Sequence, residues 1–283
     1  MGKIKVFTDS TNDLSPELIK ENGIEVIPLY VGFENGETYR DGVDVTPKEM
    51  YELVKKFGKL PKSASPSPKA FYDAFKPYID EGKDIIYVGI SSGLSATVQN
   101  AMIAAQEFPK GRVEVVDSMN LSSGVGLLVL KAVDYANEGL SVQEAAEKVR
   151  EKVPKVRTEF VIDTLDYLYM GGRCSALQSF MSGIFKIKPI VKVVDGKMIL
   201  GEKPRGKIEK GIDIMIGHAV KNKDNMELDR IMVTHSLGCT MNEYIRDEVM
   251  KKIGPQNTYI TDAGCVISSH CGPGTVGILY IEK

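Results

Sequence analysis

Ile85-Ile-Tyr-Val-Gly-Ile90, followed at once by Ser91-Ser-Gly-Leu-Ser-Ala-Thr97, is the stretch that decides the fold. A short apolar run ends abruptly in hydroxyl side chains, and Val98, Met102 and Ala105 then continue at helical spacing. The pattern predicts a strand that delivers a hydroxyl-rich turn to the N-terminus of a helix running from Ser95. Unpaired backbone N–H groups and the positive end of the helix dipole favour an oxygen-bearing group there. No Lys or Arg stands between Asp84 and Lys110, so the donors at this turn are neutral. The turn either holds a ligand's head group or presents a catalytic serine.

Working outward, strands and helices alternate through the first half. Lys3–Phe7 and Glu25–Val31 read as strands, and Val113–Val116 as another compact apolar one. Ser15-Pro16-Glu17 and Ser67-Pro68 open helices with a cap residue and Pro at the first helical position. Thr46–Glu49 and Ser141–Glu144 have the spacing of capping boxes. This alternation predicts an α/β domain with a mostly parallel sheet and helices on both faces. Val153-Pro154-Lys155 marks a boundary, giving domains at 1–155 and 156–283. Beyond it, Phe160–Ile162, Arg230–Thr234, Thr258–Thr261 and Val276–Ile281 read as strands. Pro189–Val194 and Met198–Leu200 read as a hairpin across Asp195-Gly196. Ile208–Val220 and Thr240–Ile253 read as helices, the second with a capping box of its own. The second domain is therefore α/β with a mixed sheet.

Composition limits the function. The 283 residues carry a formal net charge of −2 and 43% hydrophobic residues, the balance of a globular protein without the basic stripe of a nucleic-acid binder. No apolar run approaches the roughly 20 residues that span a bilayer. The start through Phe7 has no signal-like apolar region before Asp9, so a cytoplasmic protein is expected. Cys174, Cys239, Cys265 and Cys271 form no CxxC pair or zinc spacing and read as reduced thiols, with no metal site.

Four hydroxyl- or glycine-rich turns follow apolar strands: Phe7–Thr11 with Ser10, the Lys62–Pro68 loop with Ser63 and Ser65, the opening turn with Ser92 and Ser95, and Asp117-Ser118. In an open α/β sheet such turns converge on the carboxyl edge, where ligands bind. Singly, each is an ordinary cap or Asx-turn. From the second half come Met170-Gly171-Gly172-Arg173 and Ser269-His270-Cys-Gly272-Pro273-Gly274. Arg173 offers a permanent five-donor fork, or else an interdomain salt bridge. Gly93-Leu-Ser95-Ala-Thr97 lies one residue from a G-x-S-x-G nucleophile elbow, and Asp262 and His270 complete a hydrolase chain order. Thr97 stands where the second glycine belongs, however, and no HGGG-like oxyanion loop is present. No GxxxxGK[ST] phosphate loop is present either.

Taken together, these turns resemble the DegV family of bacterial fatty-acid-binding proteins over the whole chain. The marks are Thr8-Asp9-Ser10-Thr11 with Asp13-Leu14, Ile27-Pro28-Leu29, Ser63–Pro68 ahead of Phe71, and Ile90-Ser-Ser-Gly-Leu-Ser95. Val116-Asp-Ser118, Leu165–Tyr169 with Gly171-Gly-Arg173, Lys188-Pro189 and His270–Gly277 follow in order. The resemblance implies a single long-chain fatty acid in an apolar tunnel between two α/β domains. It implies that the acid's carboxyl group is presented to a separate fatty acid kinase, which forms an acyl-phosphate for phospholipid synthesis. No catalytic residue and no cofactor beyond the bound acid are implied, and a membrane would be met only transiently. Ser63, Ser95, Arg173 and His270 match the residues that face the carboxyl group, with Ser10, Ser92 and Ser118 behind them. Ser63-Ala64-Ser65 departs from the usual Thr-Ser-Gln, and Ala96-Thr97 from Gly-Thr. The residues by themselves leave two other readings: a serine hydrolase or esterase using Ser95, and a regulatory binding protein for another small acid.

Overall fold

Ile85, Ile86, Tyr87 and Val88 are each fully buried, because the strand that carries them is covered on both sides. That strand, β6 (Asp84–Gly89), lies in a four-stranded sheet with β1 (Ile4–Asp9), β2 (Glu25–Ile27) and β7 (Val113–Asp117), in the order β2-β1-β6-β7. All three pairings are parallel. The computed structural model describes residues 4–163, 166–172 and 187–283.

Strand alternation sends Ile85 and Tyr87 to one face, with Phe7, where α3 (Pro68–Asp80) and α4 (Thr97–Ala105) supply Phe71, Phe75, Val98 and Ala101. Phe71 meets the Tyr87 ring edge-on with centroids 5.2 Å apart, a geometry contributing about 0.5–1.5 kcal/mol beyond burial. Val6, Ile86, Val88 and Val116 point to the other face, under α5 (Ser123–Asn137) and α6 (Val142–Lys152). The remaining helices of this half are α1 (Pro16–Glu21) and α2 (Pro47–Phe57). The capping boxes at Thr46 and Ser141 both form.

The stretch Glu25–Val31 is not one strand. Pro28 has no N–H to continue the ladder, so β2 ends at Ile27 and the chain enters a second sheet as β3 (Tyr30–Gly32). There β3 pairs antiparallel with β4 (Thr38–Arg40) and β5 (Lys62–Ala64). The Ser63 segment, read from sequence as a loop, is therefore a short strand with Ser63 opposite Val31.

Six strands make the second large sheet: β8 (Val156–Val161), β9 (Ile190–Val194), β10 (Lys197–Leu200), β11 (Arg230–His235), β12 (Asn257–Asp262) and β13 (Val276–Ile281). Their order is β10-β9-β8-β13-β11-β12, and only β11 and β12 run parallel. One face packs on α8 (Ile208–Lys221) and α9 (Asn242–Lys252) through residues such as Ile212, Ile216, Ile245 and Val249. The opposite face turns toward the first half, where Leu279, Ile281 and Met232 join the core under α5. Two short helices, α7 (Asp166–Met170) and α10 (Cys265–Cys271), border that interface. The expected box at Thr240 is absent: α9 starts at Asn242 behind Met241, which makes no side-chain cap. Likewise α4 starts at Thr97, not Ser95.

Candidate functional site

Between the carboxyl edge of the parallel sheet and the inner face of the mixed sheet lies a cavity of about 340 Å³. Ile90, Leu94, Leu121, Phe160, Met198 and Ile267 give it an apolar body. Ala64 and Ala96 on its lining are exposed, while Thr158, Thr234, Ser236 and Thr275 are buried, so the cavity opens beside β5 and the turn before α4.

At that opening two of the expected residues meet. Ser63 Oγ and His270 Nε2 share a hydrogen bond of 2.9 Å. Both line the cavity with Ser65 and Ser95. Ser95 Oγ lies 2.7 Å from Thr97 Oγ1 and accepts the Thr97 N–H at 3.3 Å, which satisfies the first helical amide of α4. Asn100 Nδ2 donates to Ser65 Oγ at 3.2 Å and to the Pro66 carbonyl at 2.8 Å, tying the β5 loop to α4. Gly171 closes on the His270 ring so tightly that a Cβ there would sit 2.2 Å from Nδ1. Arg173, two residues on, lies outside the described residues.

Deeper in, the hydroxyls on the wall are committed to the protein. Thr158 Oγ1 donates to Asn120 Oδ1 at 2.8 Å, Ser236 Oγ to the Gly272 carbonyl at 2.6 Å, and Thr275 Oγ1 to the Cys271 carbonyl at 2.9 Å. Thr234 Oγ1 bonds Thr261 Oγ1 at 2.8 Å and also meets Ser123. A hydroxyl that already donates inside the protein has no proton left for a ligand, so this part of the wall presents mainly apolar surface. Cys271 is also on the wall, and burial pushes its thiol up to about 12, which leaves it protonated and inert.

The other serines serve the frame. Ser10 Oγ accepts the Leu29 N–H and donates to Asp41 Oδ2, each at 3.0 Å. Ser118 Oγ is held in its own turn by Asn120. Ser92 is exposed and gives its N–H to the Asp117 carboxyl group at 3.2 Å. None of the three is on the cavity lining. Asp9, fully buried, accepts from Tyr87 Oη at 2.7 Å and from the Ile90 N–H at 3.0 Å, fixing the carboxyl edge of β6. Burial raises its pKa despite these bonds.

The elbow geometry sought at Ser95 occurs instead at Ser122. Its backbone has a positive φ of 55°, and Gly124, two residues on, approaches Asn120 so closely that a Cβ would sit 2.3 Å from Oδ1. Ser122 lines the cavity, but its proton goes to Asp13 Oδ2 at 2.5 Å. Asp262, the triad acid by chain order, lies against His235 at 3.4 Å, while His270 faces Ser63. Among the described residues, no Ser–His–Asp relay through Ser95 is assembled.

The whole chain has counterparts among known proteins. A family model described as an uncharacterised protein of the DegV family matches residues 3–283. The chain belongs to the DegV family. A DegV domain-containing protein of Caldanaerobacter subterraneus is 35% identical over the full length of both chains. A DegV family protein of Thermus thermophilus, solved as a fatty-acid-binding structure, superposes with a TM-score of 0.90 at 31% identity, covering all of both chains. DegV of Bacillus subtilis, described as a fatty acid binding protein, gives 0.87 at 28% identity, again over all of both chains. Among the described residues, no helix of this DegV protein is long and apolar enough to cross a membrane.

Proposed function

We propose that this DegV protein binds one long-chain fatty acid in the interdomain cavity and presents its carboxyl group to a separate fatty acid kinase, with no catalytic residue of its own. The observation that carries the reading is the division of the cavity wall. Its deep hydroxyls are spent on protein acceptors, whereas Ser63 and His270 pair beside the opening and Ser95 lines the same cavity. An apolar chain fits the first part and a carboxyl group the second. About a dozen methylenes leaving water contribute roughly 10 kcal/mol, before the cost of ordering chain and protein is subtracted. Affinity therefore comes mainly from the chain, and the head group need only be satisfied.

In this reading Ser63, Ser95, Arg173 and His270 face the carboxyl group. The division at 1–155 and 156–283 puts two of them on each domain, and the kinase acts in the cytoplasm on the exposed end. The fatty acids bound by the Thermus and Bacillus proteins support the ligand class. Denaturing the purified protein and analysing the organic extract by mass spectrometry tests it. One equivalent of a long-chain acid is expected. Protein that is empty and also fails to bind added palmitate or oleate overturns the reading. Incubation of loaded protein with a fatty acid kinase and ATP, followed by hydroxylamine trapping, tests presentation separately: an acyl-hydroxamate is expected, and its absence removes the kinase step while leaving binding intact.

A further inference from the structure

The helix that carries His270 is held by the other half of the chain. α10 has only seven residues, and Gly264 at its N-cap supplies no side chain to satisfy the first amides. Two buried carboxyl groups do so instead. Gly264 N–H donates to Asp13 Oδ1 at 2.8 Å, Cys265 N–H to Asp41 Oδ1 at 2.7 Å, and Val266 N–H to Asp41 Oδ2 at 3.2 Å. These bonds join residues 251, 224 and 225 positions apart. Gly264 is what allows both acids to approach: a Cβ there would press on both Asp41 oxygens at 3.3 Å and on Asp13 Oδ1 at 3.4 Å.

Each acid is itself braced within the first half. Asp41 Oδ2 accepts Ser10 Oγ, which is fixed by the Leu29 N–H. Asp13 Oδ2 accepts Ser122 Oγ, and Ser122 sits on the cavity wall. The far end of α10 is anchored too, with Tyr51 Oη donating to the Ser268 carbonyl at 3.1 Å and Thr275 Oγ1 to that of Cys271. A helix pinned at both ends has one rotation about its axis and one axial position. In that setting His270, near its last turn, reaches Ser63.

We infer that Asp13 and Asp41 are positioning residues for the head-group site: by holding the N-cap N–H and the first two N–H groups of α10 they set where His270 meets Ser63. Asparagine at either position keeps one acceptor and turns the other oxygen into a donor. At Asp41 that donor faces an amide N–H and pushes the helix start away. The reading of this pair as a head-group contact is the one proposed above, but the positional claim does not depend on the identity of the ligand.

The test uses the full chain labelled with ¹⁵N-histidine, free of ligand. The protein has three histidines, His218, His235 and His270; His270 is assigned by the signal lost in His270→Gln. Asp41→Asn is expected to move the His270 ring-nitrogen resonances toward those of a solvated imidazole while leaving His218 unchanged. In the same variant palmitate affinity is expected to fall about tenfold. A folded Asp41→Asn protein with unmoved His270 resonances and unchanged palmitate affinity overturns the inference. Should Asp41→Asn not fold, Ser10→Ala removes the brace behind Asp41 and leaves the amide contacts. It is expected to shift His270 in the same direction by less, and an unmoved resonance there overturns the inference. Wild-type protein that binds no palmitate counts against the lipid reading alone, since the resonance comparison still decides the positional claim.

Discussion

Ser63 Oγ and His270 Nε2 share a hydrogen bond of 2.9 Å although 207 residues separate them along the chain. One comes from a three-residue strand of the first half and the other from a seven-residue helix near the end. Their contact joins the two halves of the chain on the cavity wall. Ser63→Ala removes the hydroxyl and leaves the apolar cavity body untouched. Palmitate affinity is expected to fall about tenfold, or about 1.4 kcal/mol, with the melting temperature within about 3 °C of wild type. Ser63→Thr keeps the hydroxyl and is expected to bind as wild type does. Titration calorimetry on the two variants decides it, and an unchanged affinity for the alanine variant takes Ser63 out of head-group contact.

The same pair can be disturbed from the opposite side. Gly171 is not in the left-handed region, so alanine suits its backbone, but the new Cβ would lie 2.2 Å from His270 Nδ1 and 3.0 Å from Cε1. The imidazole must swing away. Gly171→Ala is expected to weaken palmitate binding about as much as Ser63→Ala, because both break one contact. The double variant is then expected to lose clearly less than the sum of the two single losses, as contacting residues do. Strict additivity in a calorimetric double-mutant cycle would show that Gly171 acts elsewhere.

Asp13 makes a third expectation possible, in pH. Burial pushes its carboxyl group well above the ordinary 3.8, with the neighbouring Asp41 and Asp9 adding to the rise. A group raised on folding binds its proton more tightly in the native state. Its contribution is therefore fully present below the ordinary carboxylate pKa and is lost as pH rises through the folded value. Asn has no such proton. Relative to wild type, Asp13→Asn is expected to become progressively less destabilising as pH is raised from 4 to 8, with each unit of displacement worth about 1.4 kcal/mol. Urea denaturation across that range measures it, and parallel curves for the two proteins would mean that Asp13 is not displaced.

Much of the frame is legible in the sequence because local signals and tertiary demand agree. Ile85–Val88 is apolar at every position and is buried on both faces, and the Thr46 and Ser141 boxes form as spaced. The misses share a cause. Lys62-Ser63-Ala64 has no apolar alternation and is a strand only because β3 pairs with it. Cys265–Cys271 carries no capping signal, since its caps are the side chains of Asp13 and Asp41 in the other half. Arg40-Asp41-Gly42 reads locally as a turn, so nothing near Asp41 announces its bonds to α10. Hydroxyl-rich turns pointed to Ser63 and Ser95, but they could not separate a serine facing the cavity from one such as Ser118 that braces its own loop.

The tip of the β9–β10 hairpin supplies the last expectation. Ser91 Oγ donates to the Gly196 carbonyl at 2.8 Å, joining the hairpin to the turn that leads to Ser95. Leu94 from that turn and Met198 from β10 both line the cavity, so this contact holds two parts of its wall together. A Cβ on Gly93 would lie 2.8 Å from the Gly196 carbonyl oxygen, a backbone atom that cannot rotate aside. Gly93→Ala must therefore lift the hairpin. Release of a pre-bound fluorescent fatty acid is expected to quicken about tenfold, a loss of about 1.4 kcal/mol in cover. Gly217→Ala is the control: it has open space around its Cβ position, and within α8 it is expected to stabilise by about 0.5–1 kcal/mol without changing release. Stopped-flow transfer to acceptor vesicles reads both rates. If Gly93→Ala releases its ligand at the wild-type rate, the hairpin does not cover the acyl chain, and the way out lies elsewhere on the cavity wall.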